Sequence, residues 1–525
     1  MESLSLIALL AGALAVSALA RRVGVSPPLL LVAAGLALSF VPGMPDYRIH
    51  PEIVLLLVLP PLLYSAALDS SYLRFRDNLR PIGLLAVGLV LFTTLAVGAG
   101  AWWLVPGLPL DAALVLGAVL SPPDAVAATS IGRRLGLPRR LMTLLSGESL
   151  VNDATALTAF RVAVASAVGA GYTLPQGLGI FAVASLGGAG IGWAVGWTVH
   201  RARRLLPGNL ASAAGLLVPF GTYLVAEEAQ SSGVLAVVTA GLYLGHHAPE
   251  VGAASRLQDA AVWQAADTVL EAFVFALIGL QVRGIVVELD SGLPYMLAVG
   301  ALLTVVIVVA RFAWIFATTY LPRRVSAGLR ARGPAPPWQE AAVLSWAGMR
   351  GVVTLAAAFA VPRAVDSGAA FPGRREIIFL AFFVTVATLL LHGLTLPAVI
   401  RRLGVEGREE YADRLDEAQA QHTAAQAALE RLDELAGDLP AHDSVLDTLR
   451  RHARARSNAA WERLGRSEPG GVERPSVVYR RLRREMLSAE REVFVRLRDE
   501  RRIDEEVMRR VMRELDLEEI ALERE

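Results

Sequence analysis

Residues 120–160 read LSPPDAVAATSIGRRLGLPRRLMTLLSGESLVNDATALTAF, a stretch that sets charge inside sequence otherwise apolar enough for a lipid bilayer. Two apolar segments meet there across an arginine-rich turn. The first is interrupted by Pro122, Pro123 and Asp124, and the second carries Glu148, Ser149, Asn152 and Asp153. Ionisable groups at membrane depth cost free energy and mark function. Pro122 and Pro123 lack a backbone donor and clash with the preceding turn, so the first helix is expected to open next to Asp124. On a helical second segment Ser149 and Asp153, four residues apart, share a face, with Glu148 and Asn152 on the adjoining strip.

The whole composition agrees with a membrane protein. Of 525 residues, 54% are hydrophobic and only 19% charged, and the mean hydropathy is +0.48, beyond the norm for a soluble globular chain. Charge is unevenly spread: residues 1–403 form a succession of apolar runs, whereas 404–525 are dense in Arg, Glu and Asp. The absence of cysteine excludes disulfides, thiolate nucleophiles and Cys-ligated zinc or iron–sulfur centres. All 50 basic residues are arginine, which removes Schiff-base lysines and the phosphate-binding P-loop lysine. A net charge of +1, with the arginines between apolar runs rather than on one face, gives no reason to expect nucleic acid as a partner.

Runs near the length that crosses about 30 Å of hydrocarbon fall at 2–20, 28–44, 51–68, 79–104, 111–132, 141–170, 174–200, 210–226, 232–247, 262–282, 294–320, 339–361 and 376–400, thirteen in all. Met1 to Ala20 lacks a leading basic region and is followed by Arg21 and Arg22, the reverse of a cleaved signal peptide, so it is read as the first span. Alternate loops differ in arginine. One set, from Arg21 and Arg22 through Arg133, Arg134, Arg139 and Arg140 to Arg401 and Arg402, holds nineteen; the other, Arg48, Arg283, Arg363, Arg374 and Arg375, holds five. Positive loops stay in the cytoplasm. The expectation is therefore an outside N-terminus and a cytoplasmic C-terminal region.

An odd span count with an interrupted segment in each half points to two inverted repeats, an arrangement used by secondary transporters. The second interruption is expected at Gly348 and Gly351, which flank Arg350. Unwound backbone at that depth is tolerated where it lines a cavity, and its carbonyls then coordinate cations. With the carboxylate, hydroxyl and carbonyl oxygens beside Asp153, this makes a site for a small hard cation such as sodium. One buried carboxylate that takes either a proton or a monovalent cation exchanges them by competition. Both loaded states are neutral, and neutrality avoids about 2.3 kcal/mol per 100 mV for each charge moved. Electroneutral one-for-one exchange follows.

SPPDAVAATSI (121–131), GESLVNDATAL (147–157) and WAGMRGVVTLAAA (346–358) resemble the signature segments of the first monovalent cation/proton antiporter family, which includes bacterial sodium/proton antiporters and the animal sodium/proton exchangers. Shorter similarities at Thr222–Glu227 and Ser232–Ala236 extend the likeness over the membrane region. The resemblance implies an all-α membrane protein of thirteen transmembrane helices, with two crossing broken helices in a six-helix core of about 79–170 and 294–400. A dimerisation part would occupy about 1–78 and 174–282, and 404–525 a cytoplasmic helical domain. It implies a homodimer in the bacterial inner membrane that carries sodium, or potassium or lithium, against protons and needs no cofactor. By motif, Asp153 resembles the residue that binds metal cation or proton, Asn152 its paired asparagine and Ser149 a ligand. Asp124 and Pro123 sit in the broken helix, and Glu148 with Arg350 resembles a structural ion pair beside the site. Two departures stand out. Pro123 and Ala125 flank Asp124 where many members have Thr-Asp-Pro, so a hydroxyl is missing while a carbonyl remains. In LPPLLYSAALD (59–69), Ser65 aligns where some members place an acidic ligand.

Other charges leave two readings each. Glu227 is either a solvated helix boundary or part of an ion-attracting path. Asp267 and Glu271 share a helical face and either line that path or pair with Arg283 or Arg311. Asn152 either orients a ligand or hydrogen-bonds across helices, and Asp124 serves as an N-cap, a ligand or both. Arg161 has no partner that sequence can name. In the C-terminal region Ala424, Ala427, Ala428, Leu429 and Leu432 have helical spacing, and breaks at Pro440 and 467–475 suggest three helices. Alternative functions are a potassium/proton antiporter regulated by that region, or a membrane sensor that transports nothing. An intramembrane aspartyl protease would also use two aspartates, but its Tyr-Asp and Gly-x-Gly-Asp patterns are absent.

Overall fold

The computed structural model describes residues 2–42, 54–169, 174–287, 292–325, 335–405, 409–438, 443–464 and 475–524. Arg48, Arg330, Arg332 and Pro440 lie outside these residues, as does most of the expected break at 467–475. Among the described residues the regular structure is helical, apart from one isolated bridge between Ala364 and Ala370. The chain divides into two compact units, Met1–Glu406 and Gly407–Glu525.

In the first unit, helices occupy each apolar run: α1 Glu2–Val23, α2 Pro27–Ser39, α3 Val54–Leu68, a short helix Tyr72–Asp77 designated α4, α5 Leu79–Leu104, α6 Leu110–Leu120 and α7 Ala125–Arg134. There follow α8 Arg139–Val168, α9 Leu174–Arg203, α10 Gly208–Glu228, α11 Gly233–His246, α12 Ala253–Leu280, α13 Leu293–Val325, α14 Trp338–Trp346, α15 Val352–Phe359 and α16 Arg374–Leu403. Six helices or joined runs among the described residues are long and apolar enough to cross a membrane by themselves, in α5, α9, α10, α12, α13 and α16. Most of the others are shorter than 18 residues, and α8 carries the polar groups singled out above. Small residues let helices approach closely, as they do in membranes. At the α2–α12 crossing the Cα atoms of Gly35 and Gly279 abut, and a Cβ on either would strike the other helix's backbone.

Both interruptions exist, and they meet. The first spans Ser121 to Asp124, where the proline pair ends α6; the second spans Ala347 to Gly351, between α14 and α15. The Asp124 N–H donates to the Met349 carbonyl at 2.7 Å, so the breaks are joined through backbone. Asp124 then caps α7 by accepting from Val126 N–H at 2.8 Å. Gly351, the N-cap of α15, lies so close to the same carboxylate that a Cβ there would collide with it. One carboxylate thus faces the positive ends of two half-helices, where an anion is favoured.

The second unit contains four helices among the described residues: α17 Glu409–Asp438, α18 Asp443–Leu464, α19 Pro475–Asp499 and α20 Glu505–Arg524. The expectation of three missed the turn between α19 and α20, which contains no Pro or Gly. There Arg501 adopts φ 57°, uncommon for a non-glycine residue, and Asp504 accepts from Glu506 N–H at 2.9 Å. The expected stripe on α17 is displaced in its alanines only. Leu429 and Leu432 are half-buried, but Ala424, Ala427 and Ala428 are exposed, and the buried alanines are Ala418 and Ala425, seven residues apart. In a helix rich in alanine every face carries apolar residues, so spacing alone could not choose the packed one. Leu487, Leu515 and Leu522 form the core of the α19–α20 pair, with Arg483–Glu518 and Arg491–Glu519 ion pairs beside it.

Candidate cation and proton site

The 2.6 Å bond from the Asn152 amide to the Pro123 carbonyl holds α8 against the first break. Pro123 cannot continue a helix, and its carbonyl is freed by that failure; the buried amide satisfies it. Asn152 is thereby shown to join helices, while its own Oδ1 is buried without a protein partner. The next residue, Asp153, is 7% exposed and opens on a cavity of about 1040 Å³. Its carboxylate has no hydrogen-bond or ion-pair partner among the described residues. Pro123, Asp124 and Ser149 line the same cavity. Four residues called from sequence therefore meet there, and Asn152 stands behind them.

Glu148 does not line the cavity, and its partner is not Arg350. The Glu148 carboxylate accepts two bonds from Arg311 on α13, at 2.5 and 2.8 Å, with both side chains 2% exposed. Arg311 also donates to the Leu344 carbonyl in the last turn of α14. Arg350 instead donates to the Leu120 carbonyl at 3.0 Å and to the Gly348 carbonyl at 2.5 Å, while its own N–H reaches the Thr388 hydroxyl. The physical reason lies in the breaks. They leave carbonyls without helical partners at the ends of α6 and α14, and Arg350 is the cation within reach of both. Cations belong at helix C-termini. The pattern of positive Arg350 at two C-terminal ends and negative Asp124 at two N-terminal ends compensates all four half-helix dipoles.

Arg311 is the residue whose role the sequence did not disclose. Sequence offers it only as a partner for Asp267 or Glu271, although an arginine within the apolar run 294–320 must find a carboxylate somewhere. Asp267 is tied instead to Ser65, whose hydroxyl donates at 2.6 Å. Ser65, Asp267 and Glu271 all line the large cavity, and Glu271 lies within electrostatic range of both Asp267 and Asp124. Glu227 does not line it. Glu227 accepts from Arg161 at 2.6 Å and from Gly233 N–H at the start of α11, which identifies the partner of Arg161.

Broken helices joined break to break, beside a buried carboxylate that opens on a polar cavity, are the architecture of a multi-pass membrane transporter. The chain belongs to the sodium/hydrogen exchanger family, whose transmembrane profile matches residues 5–402. An uncharacterized Na+/H+ exchanger of Mycobacterium tuberculosis is 37% identical over 523 residues, spanning 98% of this chain and 95% of that protein. The Na+/H+ antiporter ApNhaP of Aphanothece halophytica is 33% identical over 413 residues, spanning 77% of this chain and 74% of that protein. The solved sodium proton antiporter MjNhaP1 of Methanocaldococcus jannaschii superposes with a TM-score of 0.59 at 17% identity, covering 77% of this chain and 99% of that one. That likeness establishes the fold.

Proposed function

We propose that the protein exchanges sodium for protons across the bacterial inner membrane, one for one, with Asp153 binding cation and proton in turn. The observation that carries this reading is the Asp153 carboxylate itself: largely enclosed, without a protein partner and open to the cavity. A bare carboxylate there is poorly solvated and needs a cation or a proton. Ser149, one turn away, and the freed backbone of the first break supply further hard oxygens. Asn152 acts by holding that break rather than by ligation. Asp267 and Glu271, on the same cavity, draw cations toward the site; Glu227, paired elsewhere, stands apart from this route.

The proposed topology has thirteen spans in two inverted repeats, with the N-terminus outside and the C-terminal unit in the cytoplasm. Residues 79–170 and 294–400 form the moving core, and 1–78 with 174–282 the homodimer contact. The name of the Aphanothece relative supports sodium as the cargo. The test is dissipation of a pH gradient in everted vesicles on adding sodium, then potassium, with the native chain and Asp153→Asn at equal levels. A sodium response lost in the variant is expected. A response to potassium alone would reassign the cargo. No response to either ion, or equal responses from both proteins, would overturn the Asp153 mechanism and favour the sensor. Steady net current in charge-sensitive recording on supported membranes would overturn electroneutrality.

A further inference from the structure

Away from the ion site, a second cavity of about 180 Å³ lies among α5, α8, α13 and α14. Arg80, Arg140 and Arg323, from three different helices, border it against a single carboxylate, Glu340. Arg80 and Arg140 are exposed and pair with no carboxylate among the described residues. The opposite wall is apolar and mostly buried: Leu84, Leu85, Leu141, Leu144, Ile315 and Leu344. The helix ends around the arginines carry exposed apolar side chains, with Leu79 beside Arg80, Leu321 two residues before Arg323 and Trp338 two before Glu340. Such a rim belongs at a lipid boundary, where tryptophan concentrates.

We propose that this cavity binds an anionic phospholipid, its phosphate against Arg80, Arg140 and Arg323 and its acyl chain along the leucine wall. Basic pockets between membrane helices take anionic headgroups. A free phosphate would use the arginines but leave the apolar wall uncovered, and a neutral lipid would use the wall but leave Arg80 and Arg140 without a counter-charge. Only an anionic amphiphile matches both. The site also touches the core of the transporter. The Leu344 carbonyl accepts from Arg311, and Leu144 lies one helical turn before Glu148. A lipid seated there braces the two helices that hold the buried ion pair.

The test is thermal unfolding of the full chain in detergent micelles with added phosphatidylglycerol, phosphatidylcholine of the same acyl chains, or inorganic phosphate. Phosphatidylglycerol is expected to raise the midpoint by several degrees through preferential binding to the folded state. Arg80→Gln with Arg140→Gln should weaken that binding about thirty-fold, at the usual attraction per basic residue. Arg401→Gln with Arg402→Gln removes the same charge from the exposed end of α16 and should leave the shift intact. Leu144→Phe keeps every arginine but fills the cavity, so loss of the shift there supports the acyl-chain seat even if the arginine variant fails to fold. Equal protection by phosphatidylcholine, or by phosphate alone, overturns the proposal. So does an undiminished shift in the arginine variant or in Leu144→Phe.

Discussion

Breaking the buried ion pair of α8 and α13 should show which arginine Glu148 depends on. Glu148 and Arg311 are each 2% exposed and joined by two bonds of 2.5 and 2.8 Å. Removing one partner of such a pair strands the other charge, at a cost of about 3–5 kcal/mol. Glu148→Gln retains one acceptor oxygen, and Arg311 keeps its bonds to the Leu344 carbonyl, so the lower end applies. The expected loss is about 3 kcal/mol, roughly 150-fold in the folding equilibrium. Replacing both residues, as Glu148→Leu with Arg311→Met, removes the stranded charge. The double variant should recover most of the loss, because well-packed apolar substitutes for buried pairs are often near neutral. The Leu344 carbonyl then lacks its donor, leaving a deficit of about 1 kcal/mol. A denaturant-unfolding cycle on the full chain in detergent should thus give a Glu148–Arg311 coupling of at least about 2 kcal/mol. The matching cycle with Arg350→Met should give much less, since Arg350 bonds to Leu120 and Gly348. A larger coupling for Arg350 would refute the reasoning.

Two further changes test the junction of the breaks and the C-terminal unit. Gly351→Ala places a methyl against the Asp124 carboxylate, which should cost about 1–3 kcal/mol and abolish vesicle antiport; native activity would show that the carboxylate can move away freely. In the α19–α20 pair, the hydrogen bond from Arg483 holds the Glu518 carboxyl below its ordinary value of 4.5. A depressed folded value means that this contribution is present above about pH 4.5 and fades as the pH falls through the lower folded value. The hydrogen-exchange protection of α19 and α20 in the full chain, taken relative to the intrinsic exchange rate at each pH, should therefore fall below pH 4.5, and Glu518→Gln should flatten that response. Since the Glu518 side chain is 45% exposed the effect is modest, and an unchanged pH response in the variant would count against it.

The interruptions were readable because they rest on local chemistry: two prolines in a row cannot continue a helix, and glycines flanking an arginine mark open backbone. Asp153, Asn152 and Ser149 stood out for the same reason, as polar groups in a segment that lipid should exclude. Their mutual spacing on one helix placed Ser149 and Asp153 together on the cavity. The second unit was less readable. Its helices are polar and alanine-rich, so neither the buried alanines of α17 nor the left-handed turn at Arg501 left a compositional mark.

By itself the sequence determined a helical membrane chain, the places where two helices break, and the carboxylate that stands beside one break. Those follow from rules acting over a few residues: proline geometry, helical spacing and the cost of charge in lipid. Only the tertiary structure decided that Glu148 turns to Arg311 and Arg350 to the open carbonyls, that Ser65 holds Asp267, and that Glu227 answers Arg161. Apart from the Gly348 carbonyl beside Arg350, each partner is at least 66 residues from the group it satisfies. Any buried cation can answer any buried acid until packing brings one of them within three ångströms.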